Sequence, residues 1–406
     1  MFERIDLPVE RINEGQSLLL CADGSAQLSE LAALEGQAQC VYLDPPFMTG
    51  GSFARRRRFG VKGWRTGSPA PEYPGYDDHF DSREEYLGFL RRLLENASRL
   101  LAPTGIVCLH LDWRSAAYAR LLCDEIFGEE RFLNEVIWAY ESGGRAKRHF
   151  SRKHDVILIY AKSRRYRFDL TRVPLPRSST RRNHMRRQVD DSGRVYRSIR
   201  SGGKEYRYYD DAPAYPGDVW TDISHLQQRD PERTGYATQK PLKLLDRLLR
   251  PVVHSGDLVV DLCCGSGTAL AAAQALGCRV VGVDVSPEAI MIARSRLTLN
   301  SLRVACPCTD APAVLEAGYQ PDSGVLLLTD FVTQHPSFPR TERALDCLEA
   351  WSAGLMEGDE FVPLQHFQRT AKQPELPLMC VLPADLPHLV VQTVDAASRK
   401  AVFRWR

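Results

Sequence analysis

Two short apolar runs that each end at an acidic residue stand out along the chain. The first lies in QCVYLDPPF, residues 39–47, and the second in DLVVDLCCGSGT, residues 257–268. Continuous apolar runs of this length, bounded by Pro or Gly, are typical of strands buried in a parallel sheet. Open α/β sheets bind their ligands where such strands end. We therefore expect functional residues directly after both runs.

Helical patterns alternate with these strands. TALAAAQALGC has the composition of a helix packed on a sheet, and RVVGVDV supplies the next strand, which ends at Asp284. Ser286 as N-cap and Pro287 at the first helical position predict a further helix. Upstream, apolar residues at helical spacing predict a helix from Tyr86 to Leu101, followed by the strands IVCLHLDW, NEVIWAY and HDVILIYAKS.

The pattern predicts an α/β protein with a doubly wound, mostly parallel sheet. We divide the chain into a first half of this sheet domain (1–163), a basic insertion with short alternating pieces such as RVYRSI and KEYRYY (164–236), a second half (237–302) and a C-terminal accessory unit (303–406). The accessory unit should close with a hairpin formed by PHLVVQTV and DAASRKAVFRW.

Composition excludes several classes of protein. With 44% hydrophobic and 26% charged residues, the chain is neither disordered nor fibrous. The N-terminal residues do not resemble a signal peptide, and no run of ~18 apolar residues occurs, so we expect a soluble, cytoplasmic protein. The eleven cysteines lack zinc-site spacing. We interpret them as reduced thiols and predict no metal site.

Charge is distributed unevenly along the chain. Residues 143–209 contain 20 Lys or Arg against 5 Asp or Glu, interleaved with tyrosines, whereas residues 310–360 contain 2 basic against 10 acidic residues. The acidic stretch is compatible with a solvated face. The basic stretch requires an anionic partner, and its aromatic residues favour nucleic acid.

The glycine turn that follows the second run predicts a nucleoside cofactor. Gly265 and Gly267 permit a sharp turn and a close approach to a ligand, and Asp284 can accept hydrogen bonds from ribose hydroxyls. Nicotinamide, flavin and S-adenosylmethionine enzymes share this arrangement. Leu270 occupies the position of the third glycine that a dinucleotide site prefers.

The second candidate site is the tetrapeptide Asp44-Pro45-Pro46-Phe47. Two consecutive prolines fix a rigid turn and remove two backbone donors, which leaves carbonyls as acceptors beside the carboxylate. Such a pair can hold both hydrogens of an amino group, direct the nitrogen lone pair at an electrophile and stabilise the developing positive charge. Phe47 offers a face on which a planar base can stack.

The strings CADGSAQL, VYLDPPFMTG, TQKPLKLLDRLL and VVDLCCGSGT, in this order, resemble the β class of amino-group DNA methyltransferases over residues 15–300. The resemblance implies a Rossmann-like methyltransferase fold with circularly permuted motif order. It also implies S-adenosylmethionine as cofactor, double-stranded DNA as substrate, a bacterial, archaeal or phage origin, a homodimer and a cognate restriction endonuclease.

The resemblance also assigns residues. It implies that Asp44, Pro45, Pro46 and Phe47 form the catalytic pocket for the target base. The cofactor would be bound by Asp23, Thr238, Gln239, Lys240, Asp261, Gly265, Ser266, Gly267, Thr268 and Asp284. Three motifs depart from the family: Asp261-Leu262-Cys263 stands where DPF is usual before the glycine turn, Met48 replaces the common Asn after DPPF, and Ala237 replaces the usual proline before TQKP.

The reaction expected from the resemblance is methyl transfer to the exocyclic amine of a flipped base. Aspartate as the first residue of DPPF resembles the N6-adenine branch, with N4-cytosine as the alternative. A catalytically silent DNA-binding subunit, a protein-glutamine or RNA methyltransferase and a nicotinamide oxidoreductase are the competing hypotheses. We expect the basic insertion to select the DNA site, with the arginines of RRNHMRRQ either reading guanine edges in the major groove or holding phosphates. The loop with Arg55–Arg58 either closes over flipped DNA or is a solvated loop without a role.

Overall fold

The structure is a computed structural model that describes residues 1–13, 16–56, 72–141, 146–176, 187–227, 230–234, 236, 238–298, 301–308, 312–333, 344–369, 373, 375–395 and 398–406. For residues 52–56 and 72–77 the description covers the backbone only. Within these residues, none of the helices combines the length and the apolar character needed to span a membrane.

The regular elements alternate in the first three hundred residues and are mainly strands afterwards. The helices are α1 (Arg83–Leu100), α2 (Ala116–Phe127), α3 (Leu242–Leu249), α4 (Thr268–Ala275) and α5 (Pro287–Arg296). The strands are β1 (Phe2–Ile5), β2 (Val9–Ile12), β3 (Ser17–Cys21), β4 (Ala38–Leu43), β5 (Ser52–Arg56), β6 (Glu72–Asp77), β7 (Leu101–Leu111), β8 (Phe132–Ala139), β9 (His154–Ala161), β10 (Arg187–Val189), β11 (Val195–Ser201), β12 (Lys204–Tyr209), β13 (Val219–Trp220), β14 (Leu258–Asp261), β15 (Arg279–Asp284), β16 (Leu302–Ala305), β17 (Ala313–Gln320), β18 (Val325–Thr333), β19 (Leu348–Glu357), β20 (Glu360–Gln368), β21 (Met379–Val381), β22 (Leu389–Asp395) and β23 (Lys400–Trp405).

The centre of the large sheet is parallel. β16, β3, β15, β14, β4 and β7 lie side by side in this order, and each neighbouring pair is parallel. β4 and β14 are therefore adjacent although more than two hundred residues separate them in the chain. The prediction that the runs at 39–47 and 257–268 form buried parallel strands is confirmed.

Helices cover both faces of this sheet, as the doubly wound prediction requires. Cys40 and Tyr42 of β4 pack in a core with residues of α3, α4 and α5, whereas Val41 and Leu43 pack in a second core with residues of α1 and α2. Successive side chains of a strand point to opposite faces. A strand buried on both sides therefore reads as a continuous apolar run rather than an alternating one.

Beyond β7 the sheet changes direction. β9 is antiparallel to β7, and β8 is antiparallel to β9, so β8 runs in the same direction as β7 and β4. The loop between β8 and β9 therefore lies at the edge where β4 ends. In the insertion, β10, β11 and β12 form a separate antiparallel sheet.

The C-terminal unit continues the large sheet instead of standing apart from it. β2 pairs with β16 on one side and with β20 on the other, and β1 pairs with β23. β16 spans the predicted division at residue 303, and the closing hairpin of β22 and β23 is confirmed. The sequence analysis missed β1 and β2, because FERI and VERI are short and only partly apolar.

Lys400 fastens the N-terminal segment to the C-terminal unit. Its side chain is buried, and its ammonium donates to the carbonyls of Leu7 (3.0 Å), Pro8 (2.9 Å) and Cys306 (3.1 Å). A buried charge is tolerated only where hydrogen bonds replace its lost hydration.

We expect Lys400→Met to lower the free energy of unfolding by roughly 2–4 kcal/mol, because three carbonyls, two of them in buried hydrogen bonds, lose their charged donor. Urea denaturation followed by circular dichroism measures this change. Lys204→Met, at an exposed position of β12, is the matched control and should be close to neutral. Equal stability of the two variants would show that Lys400 does not fasten the segment.

Candidate active site

A cavity of about 500 Å³ opens where β3, β4, β14 and β15 end. This is the edge at which open parallel sheets bind ligands. Of the predicted site residues, all of which are described, every one except Gly267 lines it: Asp23, Asp44, Pro45, Pro46, Phe47, Thr238, Gln239, Lys240, Asp261, Gly265, Ser266, Thr268 and Asp284. The fold thus brings the two predicted motifs into one site.

The glycine turn is held against the end of β15. Gly265 adopts a left-handed conformation (φ +48°), and its N–H donates to Oδ2 of Asp284 at 2.8 Å. Oδ1 of Asp284 accepts from the N–H of Ser286 at 2.9 Å. Burial raises the pKa of Asp284. The carboxylate that sequence reasoning assigned to ribose binding therefore also organises the turn around it.

Gly267 is required for packing. It precedes α4 with φ +72°, and an added Cβ would lie 2.8 Å from Cβ of Ala293. Arg296 of α5, which sequence reasoning missed, donates hydrogen bonds to the two residues that flank Gly267. The acceptors are Oγ of Ser266 (3.1 Å) and Oγ1 of Thr268 (2.9 Å). The turn is thus clamped between α4 and α5, which fixes the wall of the cavity.

Asp44 is paired with Lys240. The ammonium of Lys240 donates to both carboxylate oxygens, at 2.9 and 2.8 Å, and lies 5.0 Å from the centre of the Phe47 ring. The resemblance placed Lys240 near the methionine end of the cofactor. The structure places its charge on the carboxylate of the DPPF motif.

Gln239 braces the loop that carries Lys240. Its side-chain oxygen accepts from the N–H and the hydroxyl of Thr234, both at 2.9 Å, and its amide donates to the carbonyl of Glu232 at 2.9 Å. Thr238, which directly precedes Gln239, has a left-handed backbone conformation with φ +57°. These bonds hold the segment in the conformation that delivers Lys240 to Asp44.

A buried chain of hydrogen bonds lies next to the DPPF motif. The hydroxyl of Tyr42 is 2.9 Å from Nδ1 of His110, Nε2 of His110 is 3.1 Å from Asp155, and the hydroxyl of Tyr140 donates to Asp155 at 2.9 Å. His110 also stacks on Phe47, with ring centres 6.3 Å apart. A chain of this kind fixes the orientation of Phe47 from below.

The pKa values in this chain follow from burial and charge. Burial raises the pKa of Tyr42 well above its usual range, so its hydroxyl keeps its proton. Burial acts to raise the pKa of Asp155, but the hydrogen bond and charge of His110, with further help from Lys240 and Tyr140, lower it overall. A histidine inside the apolar run IVCLHLDW was the only sequence signal for this chain.

The backbone conformation at Met48 shows why the family commonly has Asn at this position. Met48 adopts φ +61°, a conformation in which Asn is enriched and a residue such as Met is disfavoured. The N–H groups of Met48 and Thr49 both donate to the buried carboxylate of Asp78, at 2.8 and 3.0 Å. These bonds hold the loop after Phe47 in place in spite of the unfavourable residue.

Carboxylates dominate the cavity wall. Among the described lining residues, Lys240 is the only lysine or arginine, against five acids: Asp23, Asp44, Asp261, Asp284 and Glu288. Burial raises the pKa of Asp261 well above its usual range. Apart from Asp261 and Asp284, whose raised pKa values favour the neutral form, the acids of the wall fit a ligand that carries positive charge and hydroxyl groups, as the sulfonium, ammonium and ribose of S-adenosylmethionine do.

Aromatic side chains lie in the cavity near Cys263, the second position that departs from the family. Cys263, which stands where the family has Phe, lines the cavity together with Phe89 of α1 and Tyr236. Tyr236 packs on the glycine turn, since a Cβ added to Gly265 would lie 3.0 Å from its ring. Sequence reasoning missed both aromatics, because nothing in the local pattern separates them from ordinary packing residues.

Two family models match the chain. The family model described as DNA methylase matches residues 38–295, and a general methyltransferase domain model matches residues 259–350. The first match covers most of the chain and includes both the DPPF motif and the glycine turn.

Individual relatives have low sequence identity to this chain, but the matches cover large parts of both proteins. The chain is 25% identical to the Type II methyltransferase M.EcaI of Enterobacter cloacae, over 69% of each chain. It is 23% identical to the DNA adenine methyltransferase YhdJ of Escherichia coli K12, over 71% of this chain and 85% of that protein. A putative DNA modification methylase of Thermus thermophilus, solved with S-adenosylmethionine, matches 71% of this chain and 99% of its own with 21% identity and a TM-score of 0.42.

The raised pKa of Asp261 predicts a pH-dependent stability. Because this pKa is higher in the folded than in the unfolded chain, folding takes up a proton, and the free energy of unfolding falls as the pH rises from the unfolded pKa, about 3.9, toward the folded value. We expect Asp261→Asn to raise the melting temperature at about pH 8 by about 2 °C or more and to lose this advantage near about pH 4. Differential scanning calorimetry measures both, and a difference independent of pH would contradict the assignment.

Proposed function

The chain belongs to the DNA methylase family, and on this premise we propose that it transfers a methyl group from S-adenosylmethionine to the N6 amine of an adenine in double-stranded DNA. The observation that carries the proposal is that Asp44 of the DPPF motif and Gly265 of the glycine turn line one cavity. A methyl donor bound at the turn and an amine held at the motif would be neighbours.

The acidic wall and the glycine turn are the proposed cofactor site. When bound, S-adenosylmethionine supplies the methyl group and a sulfur leaving group. Asp284 would accept hydrogen bonds from the ribose hydroxyls, and Phe89 and Tyr236 would provide aromatic surface in place of the missing Phe at Cys263. Asp23 and Glu288 would add negative charge toward the ligand.

Asp44 and Lys240 form the proposed amine-binding pair. Each carboxylate oxygen of Asp44 has a second lone pair besides the one that Lys240 uses, so the carboxylate can accept a hydrogen of the target amine. This contact orients the nitrogen lone pair and stabilises the positive charge that develops on nitrogen. Lys240 would hold the carboxylate in position throughout the reaction.

The target base must leave the duplex to reach this pair. We infer that it stacks on Phe47, whose ring is positioned by His110. Unstacking a base costs a few kcal/mol, which stacking in the pocket and phosphate contacts elsewhere can offset. Adenine is proposed because DPPF begins with aspartate and because the Escherichia coli relative is named an adenine methyltransferase.

The basic insertion, residues 164–236, is the proposed site-selecting unit. In the ribbon of β11 and β12, Arg197 lies opposite Tyr208 and Ile199 lies opposite Tyr206, which places all four side chains on one face. The two tyrosines are 41% and 48% exposed. We propose that this face of the three-stranded sheet, with its arginine and exposed aromatic side chains, contacts the DNA.

Parts of the predicted DNA-binding surface lie outside the described residues. They are residues 181–186 of RRNHMRRQ and Arg57 and Arg58 of the arginine loop. The roles of these residues, like the homodimer, stay predictions.

The names of the Type II relatives support the further proposal that a restriction endonuclease is paired with this enzyme.

Expression in a bacterial host free of DNA methylation, followed by single-molecule sequencing, tests the proposal. We expect one short sequence motif to carry N6-methyladenine in cells with the intact protein. Asp44→Ala should reduce the modified fraction by at least about 10³-fold, because the developing charge on the amine loses its partner.

Asp322→Ala is the matched control, because it removes an exposed carboxylate of the C-terminal unit and should leave methylation unchanged. N4-methylcytosine at the motif would correct the base but keep the reaction. Normal methylation by Asp44→Ala would disprove the role of Asp44, and no methylation by any form would favour the silent DNA-binding subunit.

Isothermal titration calorimetry with S-adenosylmethionine separates the two halves of the site. We expect Asp284→Ala to weaken binding by about 10–100-fold, since it removes both the proposed ribose acceptor and the anchor of the Gly265 N–H. Asp44→Ala should change the affinity by less than about threefold, because Asp44 belongs to the amine-binding pair. Similar losses in both variants would contradict this division.

A further inference from the structure

The loop between β8 and β9 presents a bare aromatic side chain at the active-site edge of the sheet. β8 runs in the direction of β4, so the loop leaves the sheet at the same edge as Asp44. Its described part, residues 146–153, has the sequence AKRHFSRK. Phe150 in the middle of this segment is 98% exposed, more than any other large hydrophobic side chain in the described part of the protein.

The two ends of this loop are anchored. The N–H of Tyr140, just after β8, donates to the carbonyl of Lys153 at 3.0 Å. The guanidinium of Arg152 lies 3.7 Å from the centre of the Trp113 ring, which follows β7 at the same edge. The N–H of Ala146 donates to Oγ of Ser151 at 3.1 Å. Phe150 is therefore presented from a fixed base.

Aromatic contacts connect this base to the catalytic motif. Tyr140 packs on Trp138 with ring centres 4.9 Å apart, Trp138 packs on His110 at 5.8 Å, and His110 stacks on Phe47 at 6.3 Å. The loop and the proposed base pocket thus share one rigid support. Whatever approaches the pocket along this edge also meets the loop.

The surroundings of Phe150 determine what can cover it. Single exposed apolar residues are common on protein surfaces and require no explanation by themselves. Here, however, Lys147, Arg148, Arg152 and Lys153 flank the ring, and residues 146–153 contain no acid. A polyanion with an apolar interior matches this combination, and the stacked bases of duplex DNA behind their phosphates are such a partner.

We propose that Phe150 is a wedge that inserts into the base stack of the duplex at the position which the flipped target base leaves. This inference rests on the proposed function. Apolar side chains inserted between base steps offset the cost of unstacking, and flanking cations hold the phosphates on either side. Phe150 acts on the duplex, while Phe47 receives the base.

Single-turnover methyl transfer on two synthetic duplexes tests the wedge. Both carry the site found by sequencing; one is fully paired, and the other has an abasic residue opposite the target, where the base leaves the stack at little cost. Phe150→Ala should slow transfer on the paired duplex by about 10–100-fold and on the abasic duplex by less than about threefold. Phe150→Leu should keep most of the rate on both, because leucine also serves as a wedge.

Met379→Ala is the matched control. Met379 is also an exposed apolar side chain, but it lies in β21, in the separate sheet that β17, β18 and β21 form in the C-terminal unit. It should leave both rates unchanged. An equal loss of rate on both duplexes in Phe150→Ala, or no loss on either, would overturn the wedge. The wild-type rate tests the proposed function and the variant ratio tests Phe150, so the two can fail separately.

Discussion

The parallel pairing of β4 with β14 is the interaction on which the site depends. The register aligns Tyr42 with Asp261, so both strands end at the same edge within a residue or two of each other. The DPPF motif and the glycine turn follow directly. Because each turn has its own rigidity, from prolines in one and from packed glycines in the other, the distance between the two motifs is set by the sheet.

The acids of the cavity are of two kinds: some are buried with raised pKa values, and one is in an ion pair. Asp261 and Asp284 have raised pKa values through burial and serve the turn, whereas Asp44 is paired with Lys240. The chain of Tyr42, His110 and Asp155 then supports the aromatic floor of the pocket. Such an arrangement limits the repulsion among carboxylates that would otherwise oppose folding of an acidic site.

The uneven charge along the chain becomes an uneven charge across the molecule. The insertion connects β9 to β13 at one end of the large sheet. β19, in the acidic stretch, lies toward the other end, whereas β17 and β18 form a separate sheet with β21. Opposite charges at opposite ends give an approaching duplex a preferred orientation. The Phe150 loop, between β8 and β9, lies at this basic end of the sheet and at the same edge as the active site.

The sequence by itself determined the elements whose signals are local: the buried runs of β4 and β14, the glycine turn, the capped start of α5 and the closing hairpin. Apolar periodicity and turn chemistry act over a few residues, so a short window contains the whole signal. Only the tertiary structure decided the pairing of Lys240 with Asp44, of His110 with Asp155 and of Arg296 with the glycine turn, and the addition of β1 and β2 to the C-terminal strands. These contacts join distant parts of the chain, and strand order and register, which periodicity does not encode, choose the partners.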